Sequence, residues 1–182
     1  RSSDLSSRNL QKLIEQLLDY NRKQADGPVA REAVDLVELV ENVVAAHSLP
    51  ARAKLMHTEL TLQARRCLAE PALLISVMDN LYSNAVHYGA ESGNIRIHSY
   101  RHGDQVRIDV ANSGEPIPAA EKNMIFEPFY QGSHQRKGAV KGSGLGLSIA
   151  RDCVRQMQGE LSLVDAPAGQ VCFRITLPSA PE

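Results

Sequence analysis

Two asparagines spaced four residues apart, Asn80 and Asn84, are the side chains in this sequence whose type and spacing best fit a chemical role. They fall in the segment Pro71–Tyr88, whose apolar residues recur every three or four positions and predict a helix that starts at the proline. Asparagine is a mediocre helix former, because its amide competes for backbone hydrogen bonds. A single asparagine could simply lie on a solvated polar edge of the helix. A pair beside the buried face favours a functional role instead. An amide oxygen suits Mg²⁺, and an amide N–H suits phosphate.

The second motif is a glycine-rich segment, Lys-Gly-Ser-Gly-Leu-Gly-Leu at residues 141–147, which opens a helix predicted over 145–157. Glycines let the backbone come close to an anion, and a helix N-terminus presents N–H groups and the positive end of its dipole. The segment is not a Walker A loop, since it lacks Gly-Lys-Ser/Thr after four spacer residues. It is not a Rossmann fingerprint either, since a polar, basic loop precedes it instead of a strand.

Composition narrows the class of protein. The 182 residues are 43% hydrophobic and 23% charged, with a net charge of -1, which fits one globular domain plus an appendage. We expect no nucleic-acid partner, because the overall charge provides no attraction. The three cysteines form no C-x-x-C pair, so we expect no zinc site. No apolar run approaches the roughly 20 residues that span a bilayer, but the chain begins without Met and reads as a piece of a longer protein.

Periodicity and breakers predict the elements that hold these motifs. A helix over residues 4–24 is followed by a linker and by a second helix over 34–47, with Asp35 as N-cap and Pro50 at its end. Strands are predicted over residues 56–62, 65–69, 95–100, 105–111, 160–164 and 171–177. Because helices and strands interleave without a repeat, we expect an α/β sandwich with helices on one face of a mixed sheet.

Together these segments resemble the ATP-binding catalytic domain of bacterial sensor histidine kinases, in the GHKL superfamily. The matching motifs are the N box at 80–85, the G1 box at 112–117, the F box at 126–130, the G2 box at 142–147 and the G3 segment at 169–178. The resemblance implies the two-layer Bergerat fold, with a mostly antiparallel sheet and a single N-terminal helix before it. The implied parts are 1–24 as the second helix of a dimerisation and phosphotransfer hairpin, 25–33 as a linker and 34–182 as the catalytic domain.

The resemblance also implies roles for single residues. Asn80 and Asn84 would be catalytic, with Asn84 as the Mg²⁺ ligand and Asn80 in contact with Mg²⁺ or phosphate. The basic stretch 131–143 would lie in an ATP lid, with one or two of its cations on phosphate and the others solvated. The implied nucleotide-binding set is Asn80, Asn84, His87, Tyr88, Asn112, Gly114, Ile117, Phe129, Arg136, Lys137, Lys141, Gly142, Gly144, Leu145, Gly146 and Leu147.

Three positions depart from the family's pattern. Asn112 stands where the G1 box usually begins with Asp, whose carboxylate accepts from the adenine amino group. The amide oxygen can still accept that bond, but without charge. Pro116 replaces the second glycine of the box and removes an N–H, and His87 replaces a basic residue that is often Lys. We therefore expect weaker adenine binding.

The phosphoacceptor is absent from this sequence. The family transfers the γ-phosphoryl group to a histidine that is usually followed by Glu or Asp on the first hairpin helix, and no such pair exists here. The five histidines that could be considered as acceptors are interpreted instead as surface side chains or as side chains whose hydrogen bonds are satisfied. They are His47, His57, His98, His102 and His134. We expect the chain to bind Mg-ATP without autophosphorylating. The expected parent is an inner-membrane sensor with this portion in the cytoplasm, and the expected partners are its phosphoacceptor hairpin, a response regulator and a second copy, although the chain alone can be monomeric.

Other functions stay open. A GHKL ATPase of the gyrase, mismatch-repair or heat-shock type carries Glu at the position of Asn80, because a carboxylate can activate water and an amide cannot act as the base. Asn80 therefore favours a kinase. A non-catalytic interaction module would follow if the altered G1 box had lost its nucleotide, and a serine kinase of the anti-sigma type is disfavoured by the hairpin-like N-terminal helix.

Overall fold

The structure, a computed structural model, describes residues 29–128, 130 and 146–181. The helix predicted over 4–24 lies outside the described residues, as does most of the predicted linker. The elements in chain order are β1 (Glu32–Asp35), α1 (Leu36–Ala46), α2 (Ser48–Ala53), β2 (His57–Leu62), β3 (Arg66–Ala69), α3 (Pro71–Tyr88), β4 (Asn94–His102), β5 (Gln105–Ser113), two 3-10 turns (Ala119–Glu121 and Met124–Phe126), α4 (Gly146–Gln156), β6 (Glu160–Val164) and β7 (Gln170–Pro178).

A five-stranded sheet forms one layer, in the order β2-β4-β5-β7-β6. β2 and β4 run parallel, and every other neighbouring pair in this sheet is antiparallel. Along β5, buried side chains alternate with partly exposed ones, as expected for a sheet with one covered face. The second layer is built around α3 and α4, which pack on each other, with α3 also in contact with β5. The predicted two-layer α/β sandwich with a mixed, mostly antiparallel sheet is confirmed.

A small second sheet pairs β1 with β3 and changes where the first described helix begins. The helix predicted from residue 34 starts instead at Leu36, because residues 34 and 35 belong to β1. Asp35 is the N-cap, as predicted. Its Oδ1 atom accepts from the backbone N–H groups of Val37 at 2.9 Å and Glu38 at 3.2 Å.

The prediction that Pro50 ends this helix is wrong. α1 ends at Ala46, and α2 begins at Ser48, so Pro50 lies within the first turn of α2. Proline is tolerated in a first turn, because the N–H groups there have no acceptor within the helix.

The long helix α3 has the predicted bounds at both ends. Pro71 is its first residue, and the carboxylate of Glu70 accepts from the N–H of Leu73 at 2.8 Å. The side chains that it buries are Leu73, Leu74, Val77, Met78, Leu81, Tyr82, Ala85 and Val86. Asn80 and Asn84 therefore lie beside the core face and are held by a helix that the core fixes in place.

The described part of the chain also places the cysteines. Cys67, Cys153 and Cys172 are buried and form no disulfide. Burial raises the pKa of the Cys67 thiol to about 12, and that of Cys172 to about 11. These thiols are accordingly protonated near neutral pH and act as small apolar side chains. Among the described helices, none has the length and apolar character needed to cross a membrane.

Leu55, between α2 and β2, is held in an unfavourable backbone conformation. Its φ is 56°, and its side chain is 75% exposed. A left-handed backbone costs a non-glycine residue about 1–2 kcal/mol, and an exposed side chain contributes little packing in return. We predict that Leu55→Gly raises the free energy of unfolding by roughly 0.5 kcal/mol, which is the strain relieved less the greater unfolded-chain entropy of glycine. Urea unfolding of the two proteins measures the difference.

Gly103→Ala is the matched control for this prediction. Gly103 has a φ of +65°, and no described atom lies within 4 Å of a Cβ added there, so the change adds backbone strain without a steric clash. We expect it to lower the free energy of unfolding by about 1 kcal/mol. A loss of stability on Leu55→Gly would mean that the leucine side chain makes a stabilising contact, contrary to the prediction.

Candidate nucleotide-binding site

One side of α3, next to its buried face, carries Asn80, Asn84 and His87, and all three side chains are half-buried. The Nδ2 atom of Asn80 donates to the backbone oxygen of Ser76 at 2.9 Å. This bond sets the orientation of the amide, because its own oxygen would be repelled by the Ser76 carbonyl. Asn80 therefore presents Oδ1, an acceptor and hard ligand, on the side away from Ser76.

The first residue of α4 lies against this oxygen. A Cβ atom added at Gly146 would stand 3.1 Å from Oδ1 of Asn80 and 3.8 Å from its Cγ. Glycine thus allows the N-terminus of α4, where a helix presents N–H groups without intrahelical acceptors, to approach the asparagine side of α3. Asn80 and Gly146, one residue from each of the two motifs with the strongest signal in the sequence, therefore lie side by side.

A second meeting point lies at the other end of α3, where β5 ends. Asn112 is only 4% exposed, and its Nδ2 donates to the backbone oxygen of Ser113 at 3.1 Å. A Cβ added at Gly114 would stand 3.2 Å from that Nδ2 and 3.2 Å from the backbone oxygen of Tyr88. Ala90 N–H donates to the Ser113 oxygen at 2.8 Å. The structure therefore brings the predicted residues Asn112, Gly114 and Tyr88 together.

Further contacts tie neighbouring segments to this end of the site. The N–H of Gly114 donates to the oxygen of Gly169, in the G3 segment, at 2.9 Å. The rings of His87 and Tyr88 meet edge to face, with centroids 4.7 Å apart and an interplanar angle of 81°. Ile117 and Leu147 are partly buried against the core. Tyr88 lies eight residues after Asn80, so the two meeting points are separated by about 12 Å along α3.

The F-box phenylalanine Phe126 is a core residue next to α4. It is 4% exposed and meets Phe173 of β7 edge to face at 6.1 Å. The guanidinium carbon of Arg151, on α4, lies 5.2 Å from the Phe126 ring centroid, a cation–π distance. Tyr130 donates from its hydroxyl to the Glu121 carboxylate at 2.6 Å, and this bond raises the pKa of Tyr130.

Several predicted residues lie outside the part of the chain that the structure describes, and their roles stay predictions. They are Phe129, Arg136, Lys137, Lys141, Gly142, Gly144 and Leu145.

Two contacts on α3 were not expected from the sequence. His47, interpreted as a surface histidine or one with its hydrogen bonds satisfied, has a partner that the sequence did not indicate. Its Nε2 lies 2.6 Å from Oδ1 of Asp79. Its ring also contacts Tyr82 at 5.8 Å between centroids. Lys54 donates from Nζ to three backbone oxygens at the end of α3. Neither contact has a local sequence signal, because the partners lie more than 30 residues away along the chain.

Residues 69–181 match the protein family described as "Histidine kinase-, DNA gyrase B-, and HSP90-like ATPase". This stretch is more than half of the chain, and the chain belongs to that family. The site between α3, α4 and the end of β5 is therefore the candidate nucleotide-binding site of a member of this family.

Three of the proteins and structures that the chain resembles are described as histidine kinases. The sensor histidine kinase GlrK of Escherichia coli (strain K12) is 73% identical over 177 residues, which are 97% of this chain and 37% of GlrK. The chain thus spans little more than a third of that relative. The catalytic domain of histidine kinase ThkA, nucleotide free, has a TM-score of 0.71 at 28% identity, covering 85% of this chain and all of that one. ThkA in complex with response regulator protein TrrA has a TM-score of 0.75 at 26% identity, covering 99% of this chain and 49% of the ThkA chain.

Proposed function

We propose that this chain is the catalytic part of a sensor histidine kinase, which binds Mg-ATP and, in the longer parent protein, transfers the γ-phosphoryl group to a histidine. The observation that carries the proposal is the Asn80 amide, whose oxygen faces the first residue of α4. An ATPase of this family needs a base for water at that position, and an amide cannot act as one. Identity of 73% to the sensor histidine kinase GlrK supports the same choice.

The residues present fit a magnesium nucleotide. Mg²⁺ prefers hard oxygen ligands, and Asn80 offers Oδ1 because its Nδ2 is engaged by Ser76. Asn84 adds a second amide on the same side of α3, and we assign the metal to it with Asn80 alongside. Bound Mg²⁺ would neutralise phosphate charge. The start of α4 at Gly146 would receive the phosphates, and Asn112 would accept from the adenine amino group.

The longer parent protein would supply the histidine that accepts the phosphoryl group. We propose that residues 1–24 belong to the dimerisation and phosphotransfer hairpin, that 25–33 form a linker, and that 34–182 form the catalytic domain. The acceptor histidine would lie on the missing helix of the hairpin, in a membrane-anchored homodimer with this portion in the cytoplasm. The fold shared with ThkA bound to response regulator protein TrrA supports a response regulator as the partner that receives the phosphoryl group.

The proposal predicts binding without self-labelling. Calorimetry should detect Mg-ATP binding to the chain, and incubation with γ-labelled ATP should leave it unlabelled, because a histidine followed by Glu or Asp is absent from its sequence. Stoichiometric label on the isolated chain would contradict the proposal that the histidine accepting the phosphoryl group lies outside this chain. Sustained release of phosphate would favour an ATPase, and the absence of both binding heat and a thermal shift would favour a non-catalytic interaction module.

A further inference from the structure

The C-terminus of α3 is capped by a lysine from another part of the chain. The Nζ atom of Lys54, between α2 and β2, donates to the backbone oxygens of Val86 at 2.8 Å, His87 at 3.0 Å and Gly89 at 2.6 Å. An ammonium has three N–H donors, and here three carbonyls accept from it. Its charge also faces the negative end of the α3 dipole, where a cation is stabilising.

The backbone geometry explains why a side chain, and not the backbone, caps the last carbonyls of α3. Helices commonly end at a glycine in the left-handed conformation, which turns backbone N–H groups onto the last carbonyls. Gly89, the residue after α3, is extended instead, with φ −66° and ψ 156°. A Cβ on Gly89 would overlap the Cε atom of Met56 and come within 2.5 Å of the Ala85 oxygen. Glycine is therefore required by the close approach of the Ala85 backbone oxygen, since the Cε atom of Met56 ends a flexible side chain that could move aside. Lys54 binds the carbonyls that a left-handed cap would have bound.

The strained residue Leu55 belongs to the same arrangement. It lies between Lys54 and Met56, and its φ of 56° turns the chain at the point where both neighbours contact the end of α3. The N–H of Ser92, another residue with a positive φ, donates to the Lys54 oxygen at 2.9 Å. The segment 54–56 is thus fixed from both sides against the end of α3.

The capped end of α3 borders the place where Asn112 and Gly114 lie. Gly114 stands against the Tyr88 oxygen and Gly89, and Ala90, one residue after Gly89, bonds to the Ser113 oxygen. A shift of the α3 terminus would therefore move the end of β5 and its neighbours. The Asn80 end of the site lies about two helical turns away and would be little affected.

We propose that Lys54 is a positioning residue for the nucleobase end of the nucleotide site, acting through Tyr88, Gly89 and Gly114. The proposal rests on the proposed function, because it assigns the nucleobase to the Asn112 end of the site. Without the ammonium, the last carbonyls of α3 lose their charge-assisted donors, and the junction with β5 no longer has one fixed geometry.

The test compares wild-type protein with Lys54→Met, which keeps the length of the side chain and removes its donors. Calorimetry at 25 °C with ATP and with ADP is expected to show the same loss of affinity for both, about fivefold, since the change lies away from the γ-phosphate. Lys54→Arg, which keeps charge and donors, is expected to recover most of the loss. In a spectrum of backbone amides, Lys54→Met should shift Gly89 and Gly114 more than Gly146.

Arg174→Met is the matched control for general destabilisation. Arg174 makes a bidentate pair with Asp109 at 2.9 and 3.1 Å on the sheet face opposite the helices, so its loss should lower the melting temperature and leave nucleotide affinity unchanged. If Lys54→Met melts below 25 °C, Lys54→Gln, which keeps a neutral donor, replaces it in the same titrations.

The outcomes separate the two proposals. No nucleotide binding by the wild-type chain overturns the proposed function and this inference with it. Binding by wild type, together with unchanged affinities for ATP and ADP in the folded Lys54 variant, overturns only the role of Lys54. Equal losses in the Lys54 and Arg174 variants would also overturn it, because the effect would then follow stability and not position.

Discussion

Replacing Asn80 by alanine is expected to weaken the binding of Mg-ATP about thirtyfold and to change the binding of metal-free ATP little. The atom that matters is the amide oxygen, because Nδ2 already donates to the Ser76 carbonyl at 2.9 Å. An interaction with a charged group contributes about 2 kcal/mol, which corresponds to that factor. Calorimetric titrations with ATP, in Mg²⁺ and in a chelator, measure both affinities.

Asn80→Asp separates the two roles that the sequence left open for this residue. It keeps oxygen ligands and removes the N–H donor, so we expect Mg-ATP affinity to stay within about threefold of wild type if the oxygen meets the metal. Asn42→Ala, at an exposed asparagine of α1, should have no effect. Equal losses for Asn80→Asp and Asn80→Ala that persist without Mg²⁺ would show instead that the amide N–H contacts phosphate.

The part of the site on α3 could be predicted because its signals are local. Pro71 marks the start of the helix, Glu70 caps it, and the apolar stripe fixes which side is buried. The neighbouring asparagines then follow from helical spacing alone. Their meeting with Gly146 came from the family resemblance, because no local pattern shows that a glycine 66 residues later reaches Asn80.

The errors lie where distant backbone decides the conformation. β1 has only four residues and exists because β3 pairs with it, so periodicity extended the following helix over its last two residues. Pro50 reads as a helix end, yet the chain starts a new helix just before it, where proline is allowed. The hydrogen bonds of Lys54 could not be predicted from the sequence for a similar reason. Their acceptors are backbone carbonyl oxygens, which every residue carries, so no residue type indicates the contact.

Asn112→Asp is expected to tighten ATP binding about tenfold while lowering the stability of the nucleotide-free protein by roughly 1–2 kcal/mol. The two effects have one cause. The position is 4% exposed, and the amide now donates to the Ser113 oxygen at 3.1 Å. A carboxylate would lose that donor and leave charge buried without a partner. The adenine amino group would supply the missing donor, so the bound state would gain what the free state lost.

The direction of the pH dependence tests this cause. Burial raises the pKa of an introduced carboxyl above its ordinary value, so the variant's affinity for ATP should rise with pH as the group ionises, whereas the wild-type amide adds no such dependence. Asn112→Ala, which lacks an acceptor, should bind ATP more weakly than wild type. GTP, whose base carries an oxygen where adenine has its amino group, should gain nothing from the carboxylate, because two acceptors would face each other. An equal gain for ATP and GTP would show that the base does not lie at Asn112, and the adenine end of the site would have to be assigned elsewhere.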